Sequence, residues 1–341
     1  MIAIGHLLLL ALPLAAPVGE KKKLRIGHFP NLTHAQGVIG HGLSRAGKGW
    51  FEQRLGPDVE IEWYVYNAGP SAMEALLAGS IDLAYVGPNP ALNAYIRSEG
   101  DEVRIIAGAA SGGAALVVQP DGRIQKDSDF RGKRVGTPQL GNTQDVAARA
   151  FLKSKGFKIT QTGGDALVLP TANPDQLTLF QKGDLDAVWT VEPWVSKLEL
   201  DGKAKLYLEE KSLWPETQGR YVTTQLVSSV AFLEKRAELA KKFVAAHVEL
   251  TDWINSHPAE AKKILNDELA AETTKGIAPE VLERAWSRIE LTYDPIRKSL
   301  ERSAKDAHTA GFLEKDPDLS RLYALQTLNE VLAQKGRPGI L

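Results

Sequence analysis

Five short segments hold the residues that could do chemistry: "FPNLTH" (29–34), "GPNP" (87–90), "ASGG" (110–113), "PQLGNTQD" (138–145) and "EPW" (192–194). Asn, Thr, Ser, Gln, Gly and Pro dominate them, and formal charge is almost absent. They sit where strand-like runs give way to helix starts, and helix starts present unpaired N–H groups and a partial positive charge. Such loops suit the oxygens of a small anion without needing a Lys or Arg. Any one of them is also an ordinary cap, since Asn-Pro and Gly-Asn-Thr open helices in many α/β proteins. Five loops of one style shift the balance toward binding.

Constellations for catalysis are weak. "GLSRAGKG" (42–49) approaches a P-loop, but Gly49 stands where a Ser or Thr would hold Mg²⁺, and the glycines follow a helix instead of a strand. His34 and His41 lie two helical turns apart, about 10 Å along the axis, too far to share a metal. G-x-S-x-G and H-E-x-x-H do not occur. His28 and His34 read as capping or hydrogen-bonding residues, and His34, at a helix start, is also placed to donate to an anion. Glu192 is the charged exception. Its carboxylate suits a helix N-terminus, but in a site it requires either a protein cation or a ligand with a positive or hydrogen-donating group. Trp194 fits a stacking wall or a core. The chain has no Cys, which excludes disulfides, thiolate metal sites and a cysteine nucleophile. No cofactor, metal centre or catalysis is expected.

The elements that position these loops alternate. "LRIGHFP" (24–30) reads as a strand leading into a helix that Thr33 can cap; "VEIEWYVYNAG" is a strand and "PSAMEALLAGS" a helix stopped by glycine. "IDLAYVG" is an apolar strand, followed by a helix with Asn89 as cap and Pro90 at its first position. Ser111-Gly112-Gly113 splits two strand-like runs, and "FRGKRVGTPQLGNTQDVAARAFLKSKG" (130–156) restarts the plan with Asn142 or Thr143 as cap. Strands apolar on both faces and alternating with helices predict parallel sheets covered on both sides. The device "LLAGSIDLAYVGPNP" (76–90) returns as "LFQKGDLDAVWTVEPW" (179–194), which predicts two similar lobes, as does a length of 341 residues. From about 233 onward the pattern is helical, with "LSRLYALQTLNEVL" clearly amphipathic.

Lys plus Arg number 41 against 42 Asp plus Glu, a balance that leaves no footprint for nucleic acid. Residues 1–20 read as a signal peptide, with an apolar run from Leu7 to Val18 too short to span a bilayer.

"FPNLTHAQ", "LLAGSIDLAYVGPNPALNAY", "FRGKRVGTPQLGNTQDVAARAFL" and "GDLDAVWTVEPWVSKL", in that order, resemble the substrate-binding proteins of ABC transporters for aliphatic sulfonates, taurine and nitrate, relatives of thiamine-precursor binders. The resemblance runs from about residue 24 to the end. It implies an α/β, type II periplasmic-binding-protein fold: two lobes joined by two crossing strands, near Leu116–Gln119 and Val222–Ser228, with a C-terminal helical segment. Lobe 1 would comprise 24–117 plus 223–341, and lobe 2 118–222. The resemblance carries ligand contacts onto Asn31, Thr33 and His34, onto Asn89, and onto Ser111 and Gly112 before the hinge. It carries further ones onto Asn142 and Thr143, and onto Glu192 and Trp194. It implies an exported, periplasmic, monomeric receptor that closes on a small sulfonate-like anion and presents it to a permease with its ATPase, serving sulfur acquisition. Nitrate, bicarbonate, taurine, a thiamine-pyrimidine precursor, or an enzyme on the same fold are the alternatives.

Overall fold

The computed structural model describes residues 21–340; the expected leader lies outside the described residues. Eleven strands are described. The first four are β1 (Lys22–His28), β2 (Val59–Val65), β3 (Leu83–Val86) and β4 (Val103–Gly112). Next come β5 (Ala114–Val118), β6 (Arg134–Thr137), β7 (Leu167–Pro170), β8 (Ala187–Val191) and β9 (Lys205–Glu209). The last two are β10 (Val222–Ser229) and β11 (Ile289–Leu291). They form a six-stranded sheet, β11-β4-β10-β3-β1-β2, and a five-stranded sheet, β7-β6-β8-β5-β9. The βαβ pairs β1–β2, β1–β3, β6–β7 and β6–β8 are parallel.

Both faces of each sheet are covered, as the unbroken apolar strands predict. Alternation does the sorting. In β3, Leu83 and Tyr85 join Leu24, Ile26 and Leu226 under the helices Ala35–Arg45 and Ala237–Ser256. Ala84 and Val86 face the other way, onto Leu92 of Pro88–Arg97 and Leu300 of Arg297–Ala310. In the second sheet Val135 and Trp189 pack on Phe151 of helix Thr143–Ser154. Val117 and Val188 pack on Phe180 and Leu198.

The repeated device is built the same way twice. Gly79 and Gly183 end their helices at φ 68° and 78°, in the left-handed region that glycine enters without strain. Asp82 then accepts the backbone N–H and the guanidinium of Arg25, which also donates to Gly79 O. Asp186 does the same with Arg134 and Gly183 O.

The crossings differ from the expected ones. The chain leaves the first sheet at Gly112 and enters the second at Ala114, so Leu116 lies inside β5, paired with Trp189 and Leu208. The break is earlier because Gly112 and Gly113 both take positive φ, 81° and 83°, which ends β4. The return runs through residues 210–221, and β10 belongs wholly to the first sheet. The tail is not purely helical either: β11 pairs antiparallel with β4 at the sheet edge. No helix among the described residues is long and apolar enough to cross a membrane.

Candidate functional site

The loops beyond the strand ends meet where the two sheets face each other. Helix Thr143–Ser154 of the second sheet packs on Arg297–Ala310 and Pro88–Arg97 of the first. Its first residue comes so near Gly87 that a Cβ there would lie 2.6 Å from Thr143 Oγ1. Lys153 Nζ donates to Thr309 O at 2.7 Å, and Arg302 Nη1 to Glu216 Oε1 at 2.8 Å. The first of these bonds joins the two lobes, and the second ties the return segment 210–221 to helix Arg297–Ala310.

The first loop is shaped by Asn31, whose Oδ1 accepts the Thr33 N–H at 3.3 Å and caps the turn Leu32–His34. Capping thus falls to Asn31, not Thr33. Asn31, Thr33 and His34 are all buried. The His34 ring stacks on Phe29 at 4.3 Å. Burial, helped by the neighbouring His28, lowers its pKa to about 3, so it is a neutral imidazole near neutral pH. Its Nδ1 has no hydrogen-bond partner among the described residues.

The second loop starts its helix at Pro88 with Gly87 as cap, so Asn89 is a first-turn residue and not the cap. Asn89 is buried, and its amide donates to Ser303 O at 3.4 Å. In the second lobe Asn142 is the N-cap of Thr143–Ser154, and Thr143 Oγ1 is buried without a partner. Beneath them Asp145 accepts Thr137 Oγ1, the Gly141 N–H and Arg149 Nε, at 2.8, 3.0 and 3.1 Å. That carboxylate is committed to holding the loop and has no oxygen left for acid–base work.

At the hinge, Ser111 Oγ accepts the Tyr221 N–H, and Gly112 O accepts Thr223 Oγ1 at 2.6 Å. Both residues line a cavity of about 240 Å³ together with Arg220 and Arg288. Glu192, fully buried, has found its protein cation. Arg288 Nη1 donates to its Oε1 at 2.9 Å, and Ser196 N and Oγ fill the rest. Burial raises the Glu192 pKa, and Arg288 and Ser196 hold it back only in part. Trp194, at the start of Trp194–Leu200, is half-buried and belongs to none of the hydrophobic clusters.

One residue escaped the sequence reading. Gln225 on β10 is paired with Val86, the last residue of β3, and so sits at the mouth of the 87–90 loop. It is fully buried, and neither amide atom has a partner among the described residues; nor has Thr224 Oγ1 beside it. A Thr-Gln pair inside an otherwise apolar strand, "YVTTQLV", was the available signal.

The model of the NMT1-like family matches residues 18–267. The chain is 28% identical over 189 residues to the taurine-binding periplasmic protein of Escherichia coli (strain K12), a match covering 55% of this chain. That match spans a little over half of the relative, 56% of its length. Among solved structures, the alkanesulfonate-binding protein SsuA from Xanthomonas axonopodis pv. citri, bound to MOPS, superposes with a TM-score of 0.70 at 20% identity. That superposition covers 90% of this chain and 100% of the other. The periplasmic nitrate-binding protein NrtA from Synechocystis PCC 6803 gives 0.76 at 14% identity, covering 92% and 89%. The fold is that of the periplasmic binding proteins, and these neighbours are binding proteins, not enzymes.

Proposed function

The chain belongs to the NMT1-like family, and from that premise we propose that it is the periplasmic solute receptor of an ABC importer. It captures a small oxyanion, foremost an aliphatic sulfonate, between its lobes and delivers it to a permease and its ATPase. The observation that carries this reading is a set of buried polar atoms without partners: His34 Nδ1, Thr143 Oγ1, Thr224 Oγ1 and both amide atoms of Gln225. Leaving such groups unsatisfied costs about 1–3 kcal/mol each, a penalty that a hydrogen-bonding guest removes. All are uncharged, and Thr143 opens a helix whose first N–H groups are free. The two hydroxyls, the Gln225 Nε2 amide and His34 in its Nδ1–H tautomer are neutral donors, which suit a diffuse single negative charge.

Glu192 bears on which anion. Its oxygens are taken by Arg288 and Ser196, which leaves no free carboxylate for the ammonium of an amino-sulfonate. An alkanesulfonate with an uncharged tail is our favoured ligand, and taurine, whose ammonium would have the neutral Gln225 Oε1 as its acceptor, comes second. The test is a melting-temperature screen of the full chain with alkanesulfonates, taurine, nitrate, bicarbonate and a thiamine pyrimidine. A bound ligand raises stability by RT ln(1 + [L]/Kd). Alkanesulfonates should give the largest rise, and Gln225→Ala should abolish it. A flat response to every compound at millimolar concentration would sink the proposal.

A further inference from the structure

Two histidines and a glutamate, distant in sequence, converge at the end of β1. Nε2 of His28 lies 3.2 Å from Nδ1 of His41, and Glu272 Oε1 lies 3.0 Å from the first and 2.8 Å from the second. His28 closes β1, His41 belongs to helix Ala35–Arg45, and Glu272 to helix Pro258–Thr273. The His28 and Glu272 side chains are 0% and 1% exposed.

Two observations point to a cation between them. Three metal-ligating atoms, one from each side chain, converge within 4.8 Å of one another. In addition Glu272 Oε2 is buried without a partner among the described residues, an expensive state for a carboxylate.

We propose that His28, His41 and Glu272 bind a divalent transition-metal ion of the Zn²⁺ class, which ties the helix Pro258–Thr273 to the first strand–helix unit of the chain. Mixed imidazole and carboxylate donors suit Zn²⁺, whereas Ca²⁺ and Mg²⁺ prefer oxygen alone. Tetrahedral Zn²⁺ with bonds of about 2.1 Å needs donors about 3.4 Å apart, so these three have only a few tenths of an ångström to move. Glu268 Oε1, 3.1 Å from His41 Nδ1, is within reach as a fourth ligand. Trp63 stacks on the His41 ring at 5.6 Å and fixes its plane. One contact must yield: Arg45 Nη2 lies 3.2 Å from His41 Nε2, which carries the proton once Nδ1 binds metal. Arg45 is half exposed and keeps the other oxygen of Glu268, Oε2, 3.0 Å from its Nε.

The full chain, stripped with a chelator, should take up one Zn²⁺ per molecule on calorimetric titration, with a rise in melting temperature. His41→Ala, at the more accessible ligand, and Glu272→Gln should each weaken uptake by at least about 10-fold and remove the rise. Co²⁺ added to the unaltered chain should give the strong visible absorption of a four-coordinate ion, a readout that needs no variant to fold. Absence of Zn²⁺ uptake at micromolar concentration, uptake unchanged in both variants, or only the weak spectrum of six-coordinate Co²⁺ would overturn the proposal.

Discussion

At the base of β3, Asp82 holds the Arg25 N–H at 2.9 Å while Arg25 reaches Gly79 O at 2.6 Å. At the base of β8, Asp186 holds the Arg134 N–H at 2.8 Å while Arg134 reaches Gly183 O, again at 2.6 Å. Beyond the strands the copies part. The first continues through Gly87 to a helix that starts at Pro88, bare enough for Thr143 of the other lobe to approach. The second continues through Glu192 and a cis Pro193 to Trp194, and its carboxylate is bound to Arg288, the residue just before β11. Keeping the base of the unit while varying its rim leaves one copy with a glycine close against the other lobe and the second with a charged pair.

The largest effect should come from breaking the shared base. Asp186→Ala, which strips partners from both Arg134 and Arg123, should cost about 3 kcal/mol, and Asp82→Ala about 2, on the worth of hydrogen bonds to charged groups. Urea unfolding of both variants measures the difference; equal costs would mean that Arg123 adds nothing. Next, Gly87→Ala should weaken ligand binding about 10-fold by holding Thr143 away, on an overpacking cost of about 1–3 kcal/mol. Its melting temperature without ligand should barely move, and a large drop would show that the glycine serves folding.

Glu192→Gln loses the ionic half of the pair with Arg288, and its single carbonyl oxygen cannot accept from both the Ser196 N–H and Arg288, as the two carboxylate oxygens do. Arg288 retains Glu199 at 2.6 Å, so a loss of affinity of about 5–10-fold is expected, consistent with about 1 kcal/mol for a partly compensated pair. X-ray scattering without ligand should show a more open particle. Trp194→Ala should lower affinity by a few-fold with folding retained, checked by calorimetry; unchanged affinity would make the ring a mere surface contact.

The smallest effect concerns acid. Burial opposes ionisation of Asp186, but the Arg134 N–H and the Arg123 and Arg134 guanidiniums outweigh it and lower its pKa. A depressed carboxylate stabilises the fold above its unfolded pKa, about 3.9, and that contribution fades as pH falls through the depressed value. Asp186→Asn should flatten the acid limb of a stability profile below about pH 4.

Much of this was legible in the sequence because it is local. Gly79 and Gly183 end helices by their own backbone freedom, and apolar runs such as "LAYV" and "AVWTV" announce strands covered on both faces. The rest lay in long-range pairings. Nothing beside Glu192 announces Arg288, 96 positions later, and nothing near His41 announces Glu272, 231 positions later. The three-residue β11 is too short for alternation to register, and it is a strand only because the edge of β4 offers it partners. Gln225 was hidden because a buried strand is read by its apolar residues, and the significance of a polar one depends on what it faces.

The placement of β11 also orders the making of the molecule in time. All five strands of the second sheet lie between Ala114 and Glu209, so that sheet is complete as soon as this stretch is available. The first sheet begins earlier, at Lys22, yet waits for Ile289–Leu291 to cover the edge of β4. Lobes fold as units, so the unit begun first is finished last. A chain delivered from its N-terminus thus holds an open sheet edge until nearly all of it has arrived.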